Sequence, residues 1–137
     1  MINSSLLLKE YNLKVTPQRV AIVEELYKHG HMNIDELYKK LLEKFPSISL
    51  ATIYKNVNAM VEKIFLNEVK IPETKSVYEL AKEAHSHLVC SSCGKIEDIK
   101  IDTSVLNDSI KEKSSFQIEN VDIVFSGICT SCQNKSK

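Results

Sequence analysis

The chain has 137 residues, 43% of them hydrophobic and 26% charged, with 18 basic side chains balanced by 18 acidic ones. These values suit one globular domain or two small ones sharing an interface, and they exclude a strongly basic tail that coats nucleic acid without selectivity. No run approaches the roughly 18 apolar residues of a membrane helix, and the opening "MINSSLLLKEYN" has neither a basic region nor a small-residue cleavage site, so neither a membrane span nor a secretory signal is expected.

The first half reads as helices. "SSLLLKEY" is a short one, with Ser4 or Ser5 as its cap. "TPQRVAIVEELYKHG" places Thr16 at the N-cap and Pro17 at the first helical position, with Val20, Val23 and Tyr27 at helical spacing and Gly30 as the stop. "NIDELYKKLLEKFP" opens on Asn33 with Glu36 three residues on, a capping-box variant, and predicts a buried stripe of Ile34, Leu37, Leu41 and Leu42. "SLATIYKNVNAMVEKI" has Ser49 as cap and Ile53, Val57, Met60 and Ile64 on one face. "FLNEVKI", a "PETK" turn and "SVYELA" then predict a β-hairpin. Helices followed by a two-stranded wing suggest a winged helix-turn-helix, a DNA-binding module. Residues 1–70 carry ten basic against eight acidic side chains, so DNA binding needs a localised patch and a dimer.

The second half alternates differently. "HSHLVC" and "KIEDIKI" are strand-like, "DTSVLNDSIKEK" is a capped helix, and "FQIENVDIVFSGIC" is a strand with a bulge or turn near Asn120. The order β-β-α-β gives a small α/β domain. Its four cysteines, Cys90, Cys93, Cys129 and Cys132, form two Cys-x-x-Cys pairs. A reducing cytoplasm argues against disulfides, and two such pairs suit a four-thiolate structural Zn2+ site; a redox pair or four buried thiols are the alternatives. Gly94 directly follows the first pair, where a knuckle turn calls for positive φ. Four thiolates close a tetrahedral zinc site, so His85 and His87, at i and i+2 and facing the same way on a strand, remain for a second metal.

Four motifs together, "KVTPQR" (14–19), "SLATIYKNV" (49–57), "HSHLVCSSCGKIED" (85–98) and "CTSC" (129–132), resemble the ferric-uptake-regulator family, and within it the peroxide-responsive branch. The resemblance covers nearly the whole chain. It implies an α+β protein: a winged-helix DNA-binding domain over residues 1–81 and a zinc-stapled α/β dimerisation and metal-binding domain over 82–137. It also implies a homodimer, a double-stranded operator with an A/T-rich inverted repeat, and no catalytic turnover. His31, Glu79, His85, His87 and Asp98 are the implied regulatory ligands, three imidazoles and two carboxylates suited to Fe2+ or Mn2+. His29, the remaining histidine, reads as a solvated helix-end residue.

Within the family, zinc sensors often recruit an extra cysteine, and here all four are used. Iron sensors usually have Glu where this chain has Asp98, and often a further metal site at the positions of Ala84, Ser86 and Val121, none of which binds metal. Both features favour peroxide sensing, whereas Glu79 is an iron-sensor feature. The implied mechanism is a reaction of Fe2+ with peroxide that adds oxygen to His31 or His85, weakens metal binding and releases DNA; Mn2+ does not drive it. Iron-responsive repression is the alternative, and a zinc-stapled thiol oxidoreductase a distant one.

For the DNA face, Ser49 and Thr52 stand in the first turn of the recognition helix, where hydroxyls and the helix N-terminus suit phosphates. The resemblance places Tyr54 and Lys55 in the major groove and Lys14 in an A/T-rich minor groove. Arg19 is expected to contact phosphate or pair with an acid. Ile64 stands where the family usually has glycine after the recognition helix.

Overall fold

The computed structural model describes residues 2–82 and 84–135, and the chain divides into two units, Met1–Lys82 and Glu83–Lys137. In the first unit, α1 (Ser4–Glu10) is capped by Asn3, whose Oδ1 accepts from the Leu6 N–H at 3.0 Å. The expected caps Ser4 and Ser5 both lie inside the helix, and Ser4 is buried. The other three starts follow the sequence. Thr16 caps α2 (Pro17–His29) and Ser49 caps α4 (Leu50–Glu62). At α3 (Ile34–Lys44), Asn33 Oδ1 accepts from Glu36 N–H at 2.9 Å while Glu36 Oε1 accepts from Asn33 N–H at 3.1 Å. Each such cap satisfies donors that the helix cannot satisfy internally.

The core of this unit gathers Leu8, Ile22, Leu26, Leu37, Leu41, Ile53, Val57 and Met60, all essentially inaccessible. On α2 the expected stripe is only partly right. Ala21, Ile22, Val23 and Leu26 are buried, whereas Val20 is half-buried and Tyr27 is 57% exposed. "VAIVEEL" is apolar at consecutive positions, so two overlapping helical faces fit it equally well, and packing selects between them.

The hairpin forms as expected from β2 (Leu66–Val69) and β3 (Val77–Leu80), antiparallel. A third strand, β1 (Met32–Asn33), was not expected; it pairs with the other edge of β3, giving the order β1-β3-β2. Two residues are too few to show a period of two. Helix α4 ends in a Schellman motif: Ile64 N–H reaches the Val61 carbonyl and Phe65 N–H the Met60 carbonyl, each at 3.0 Å. Ile64 thereby takes φ +60 and is 70% exposed, leaving the buried stripe predicted for it.

In the second unit, β4 (Ser86–Cys90) pairs antiparallel with β5 (Ile96–Ile99) and parallel with β6 (Val124–Gly127), in the order β5-β4-β6. Between β5 and β6 in sequence lies α5 (Ser104–Lys113), which buries none of its residues. Its N-cap Thr103 makes no side-chain bond; Asp102 Oδ1 instead accepts from the Ser104 N–H at 2.9 Å. The last expected strand is shorter than predicted. Residues 114–123 are irregular, and only Val124–Gly127 reaches β4. The short α6 (Thr130–Lys135) follows. The α+β class agrees with the sequence reading. Among the described residues no helix is long and apolar enough to cross a membrane.

Candidate metal centres and DNA-contacting face

The knuckle after β4 is built by the backbone. Cys90 N–H donates to the Lys95 carbonyl and Gly94 N–H to the Cys90 carbonyl, both at 2.9 Å, and Gly94 takes φ +80 as expected. Parallel pairing of β6 with β4 runs Gly127 alongside Cys90 and delivers Cys129 and Cys132 to the knuckle. The four Sγ atoms lie within 4.8 Å of one another. Cys93 Sγ and Cys129 Sγ are 3.8 Å apart. Two sulfurs at about 2.3 Å from one tetrahedral zinc stand about 3.8 Å from each other, whereas a disulfide brings them to about 2.05 Å. The residues present therefore fit the structural zinc of the sequence reading.

Backbone donors also favour thiolate here. The N–H groups of Cys129 (3.3 Å) and Cys93 (3.5 Å) point at Cys90 Sγ. These two bonds, the first the stronger cause, lower the Cys90 thiol to about 6. At Cys132 a hydrogen bond with Ser92 acts downward, but the neighbouring thiol of Cys129, burial, and Cys93 and Cys90 outweigh it and push the group up to about 12. Four crowded thiols resist losing all their protons, and a bound dication removes that resistance.

Each unit carries part of the implied regulatory ligand set. In the first, Gly30 (φ +83) turns the chain from α2 toward β1. The β1–β3 register pairs Met32 with Tyr78, so one step further sets His31 across from Glu79. His31 Nε2 lies 2.8 Å from Glu79 Oε2. Glu79 is almost completely buried, and Asn67, its cross-strand partner on β2, donates from Nδ2 to Oε1 at 3.4 Å. Asn67 was not singled out from the sequence; only the strand register reveals it.

In the second unit, His87 and Asp98 are direct cross-strand partners on β4 and β5. Asp98 Oδ1 lies 3.6 Å from His87 Nε2 and 3.7 Å from His85 Nε2. The two imidazoles meet edge-on, with centroids 4.6 Å apart. His85 stands one residue before β4 rather than inside it. Imidazole nitrogen and carboxylate oxygen, with no thiolate, suit Fe2+ or Mn2+. His29 Nε2 instead lies 3.2 Å from Glu25 Oε2, one turn away on α2.

On α4, Tyr54 and Lys55 are exposed while Ile53 and Val57 on either side of them are buried. Ser49 Oγ accepts from the Thr52 N–H at 3.1 Å and shares a hydrogen bond with the Thr52 hydroxyl at 2.9 Å, so one hydroxyl proton of the pair remains outside that bond. Lys14 is exposed before the Thr16 cap. Arg19 is tied within its own unit. Its partners are an amide and a backbone carbonyl: Nε donates to Asn56 Oδ1 at 3.0 Å and Nη1 to the Lys14 carbonyl at 3.1 Å.

A winged helix whose outward face carries tyrosine and lysine, followed by a unit with four convergent cysteine sulfurs and a histidine–carboxylate cluster, defines a metal-dependent DNA-binding regulator. The chain belongs to the ferric uptake regulator family, whose model matches residues 10–126. It is 33% identical over 134 residues to the ferric uptake regulation protein of Neisseria gonorrhoeae, covering 95% of this chain and 93% of that one. It is 30% identical over 130 residues to the peroxide-responsive repressor PerR of Staphylococcus aureus, covering 93% and 88%. The crystal structure of the Campylobacter jejuni peroxide stress regulator superposes with a TM-score of 0.71 at 34% identity, covering 96% of this chain and all of that one. Iron- and peroxide-named relatives thus stand at similar identity.

Proposed function

We propose that this repressor senses peroxide through oxidation of its own metal-ligating histidines. The reading assigns His31 and Glu79 of one unit and His85, His87 and Asp98 of the other to a single regulatory ion. A metal shared in this way fixes the angle between a winged-helix domain at 1–81 and a dimerisation domain at 82–137. In a dimer that angle sets the distance between two recognition helices, which must match half-sites about one helical turn apart. Metal occupancy then becomes affinity for an A/T-rich inverted repeat through a shift in population. The exposed apolar side chains Val105, Leu106, Ile110, Phe116 and Phe125 of the second unit support a homodimer, since monomers rarely expose so many together. The repressor works in the cytoplasm, where thiolates stay reduced for zinc.

The observation that carries the peroxide reading is the Asp98 carboxylate within 3.7 Å of both imidazole nitrogens. Aspartate is one methylene shorter than the glutamate usual in iron sensors, which leaves room for peroxide beside the histidines. Fe2+ held by these residues would supply the electrons that reduce hydrogen peroxide, chemistry that Mn2+ would not supply. His31 or His85 would be the ring that takes up oxygen. A modified ring is a poor ligand, so His31 no longer holds its domain against the other, and DNA is released. Each molecule is spent once, which is signalling rather than turnover.

Iron sensing is the second reading, favoured by Glu79, the longer carboxylate seated against His31. Peroxide treatment of the Fe2+-loaded and Mn2+-loaded protein separates the two. Peptides containing residues 31 or 85 gain one oxygen atom in the Fe2+ form only, and DNA is released. An Fe2+ form that stays unmodified and DNA-bound overturns peroxide sensing and leaves iron sensing in its place.

A further inference from the structure

We infer that Arg19 and Asn56 are positioning residues that set the register between the minor-groove lysine and the recognition helix. Asn56 lies on α4 between the DNA-facing Lys55 and the buried Val57, and is half-buried. Its Nδ2 donates to the Thr52 carbonyl one turn back, at 3.0 Å, which fixes the amide and aims Oδ1 away from its own helix. Arg19 Nε takes that oxygen at 3.0 Å across 37 residues of sequence, and Arg19 Nη1 takes the Lys14 carbonyl at 3.1 Å. Three hydrogen bonds thus run from the recognition helix through one guanidinium to the backbone of Lys14. The planar fork of arginine fixes both acceptors at once, which a lysine ammonium does not.

Lys14 belongs to no helix or strand. The Arg19 tie therefore gives its backbone a reference to α4, and the long, flexible lysine side chain starts from a fixed point. Binding into two grooves at once rewards such preorganisation, because an untethered Lys14 must be ordered on each encounter. This inference rests on the DNA-binding reading of Lys14 proposed above.

The test is a double-mutant cycle between Lys14→Ala and Asn56→Ala in the Mn2+-loaded, full-length protein. The probe is a duplex selected from a randomised pool by the wild-type protein, with affinity measured across a salt series. Lys14→Ala flattens the plot of log affinity against log salt by about one unit. Asn56 is uncharged, yet Asn56→Ala is expected to weaken binding about fivefold and to flatten the same plot, because it acts through Lys14. The double variant is then little worse than Lys14→Ala alone. Arg19→Lys, which keeps the charge without the fork, behaves like Asn56→Ala. Thermal melting accompanies each variant; alanine favours the helix at position 56, so the fold is retained.

Penalties that multiply, or slopes that add in the double variant, overturn the inference, because Asn56 then acts independently of Lys14. A Lys14→Ala variant with wild-type affinity overturns both this inference and the placement of Lys14 on DNA, so the two failures are told apart.

Discussion

Cys93 and Cys129 hold their sulfur atoms 3.8 Å apart across 36 residues of sequence. That is the edge of a zinc–thiolate tetrahedron and far too long for a disulfide. Purified protein is therefore expected to carry about one zinc per chain. Cys93→Ser should lose the zinc and the dimer together, because the staple between the knuckle and β6 opens. Elemental analysis beside size-exclusion chromatography checks this. Native thiols that react fast, with no zinc bound, would point instead to a thiol oxidoreductase.

Ile64 sits at φ +60, where a β-branched side chain crowds its own backbone, and is 70% exposed, so it recovers little by burial. Ile64→Gly keeps the Schellman bonds and relieves the strain. Stability is expected to rise by about 1 kcal/mol, read from the shift in denaturant midpoint at constant slope. No gain, or a loss, would mean that the unfolded-state entropy of glycine outweighs the relief.

Tyr54 is 41% exposed on α4, next to the buried Ile53. Tyr54→Ala should cost about 1–3 kcal/mol of operator binding and relax sequence preference at the thymines it meets, while leaving the melting temperature close to wild type. A fall in stability matching the fall in affinity would make Tyr54 a packing residue.

Exchanging carboxylate lengths tests what the metal site senses. Asp98→Glu is expected to keep metal-dependent DNA binding and lose much of the histidine oxidation. Glu79→Asp, which shortens the ligand beside His31, should keep oxidation. Mass spectrometry of the two histidine peptides at a fixed peroxide dose decides between them, and equal oxidation in both variants would remove carboxylate length from the explanation.

What the sequence disclosed follows how local each signal is. Thr16, Asn33 and Ser49 were legible because a cap bonds residues two or three positions away. The cysteines were legible because a knuckle needs its ligands at a short fixed spacing. The pairing of His31 with Glu79 depends on β1, whose two residues carry no pattern, so the ligand set came from family resemblance. Arg19 and Asn56 meet across two helices, and neither has a sequence feature that names the other. The strand predicted through Phe116 and Ile118 failed for the opposite reason. Its apolar residues suggested burial, but Phe116 is 76% exposed, and among the described residues no strand pairs with that stretch.

The parallel pairing of β4 with β6 also bears on how the chain is made. Among the described residues the hydrophobic cluster of the first unit reaches no further than Leu80, so a ribosome has supplied what that core requires before the first cysteine emerges. The second unit must wait. Its central strand β4 has one neighbour close behind it, but the other comes only with Val124–Gly127, and the last two thiolates follow. Throughout that interval Cys90 and Cys93 are an unfinished half of a metal site on a nascent chain whose reading head is already built. A four-thiolate zinc site therefore cannot be completed until Cys132 has left the ribosome. A cell short of zinc would accumulate winged-helix heads lacking a completed partner unit, folded at one end and open at the other.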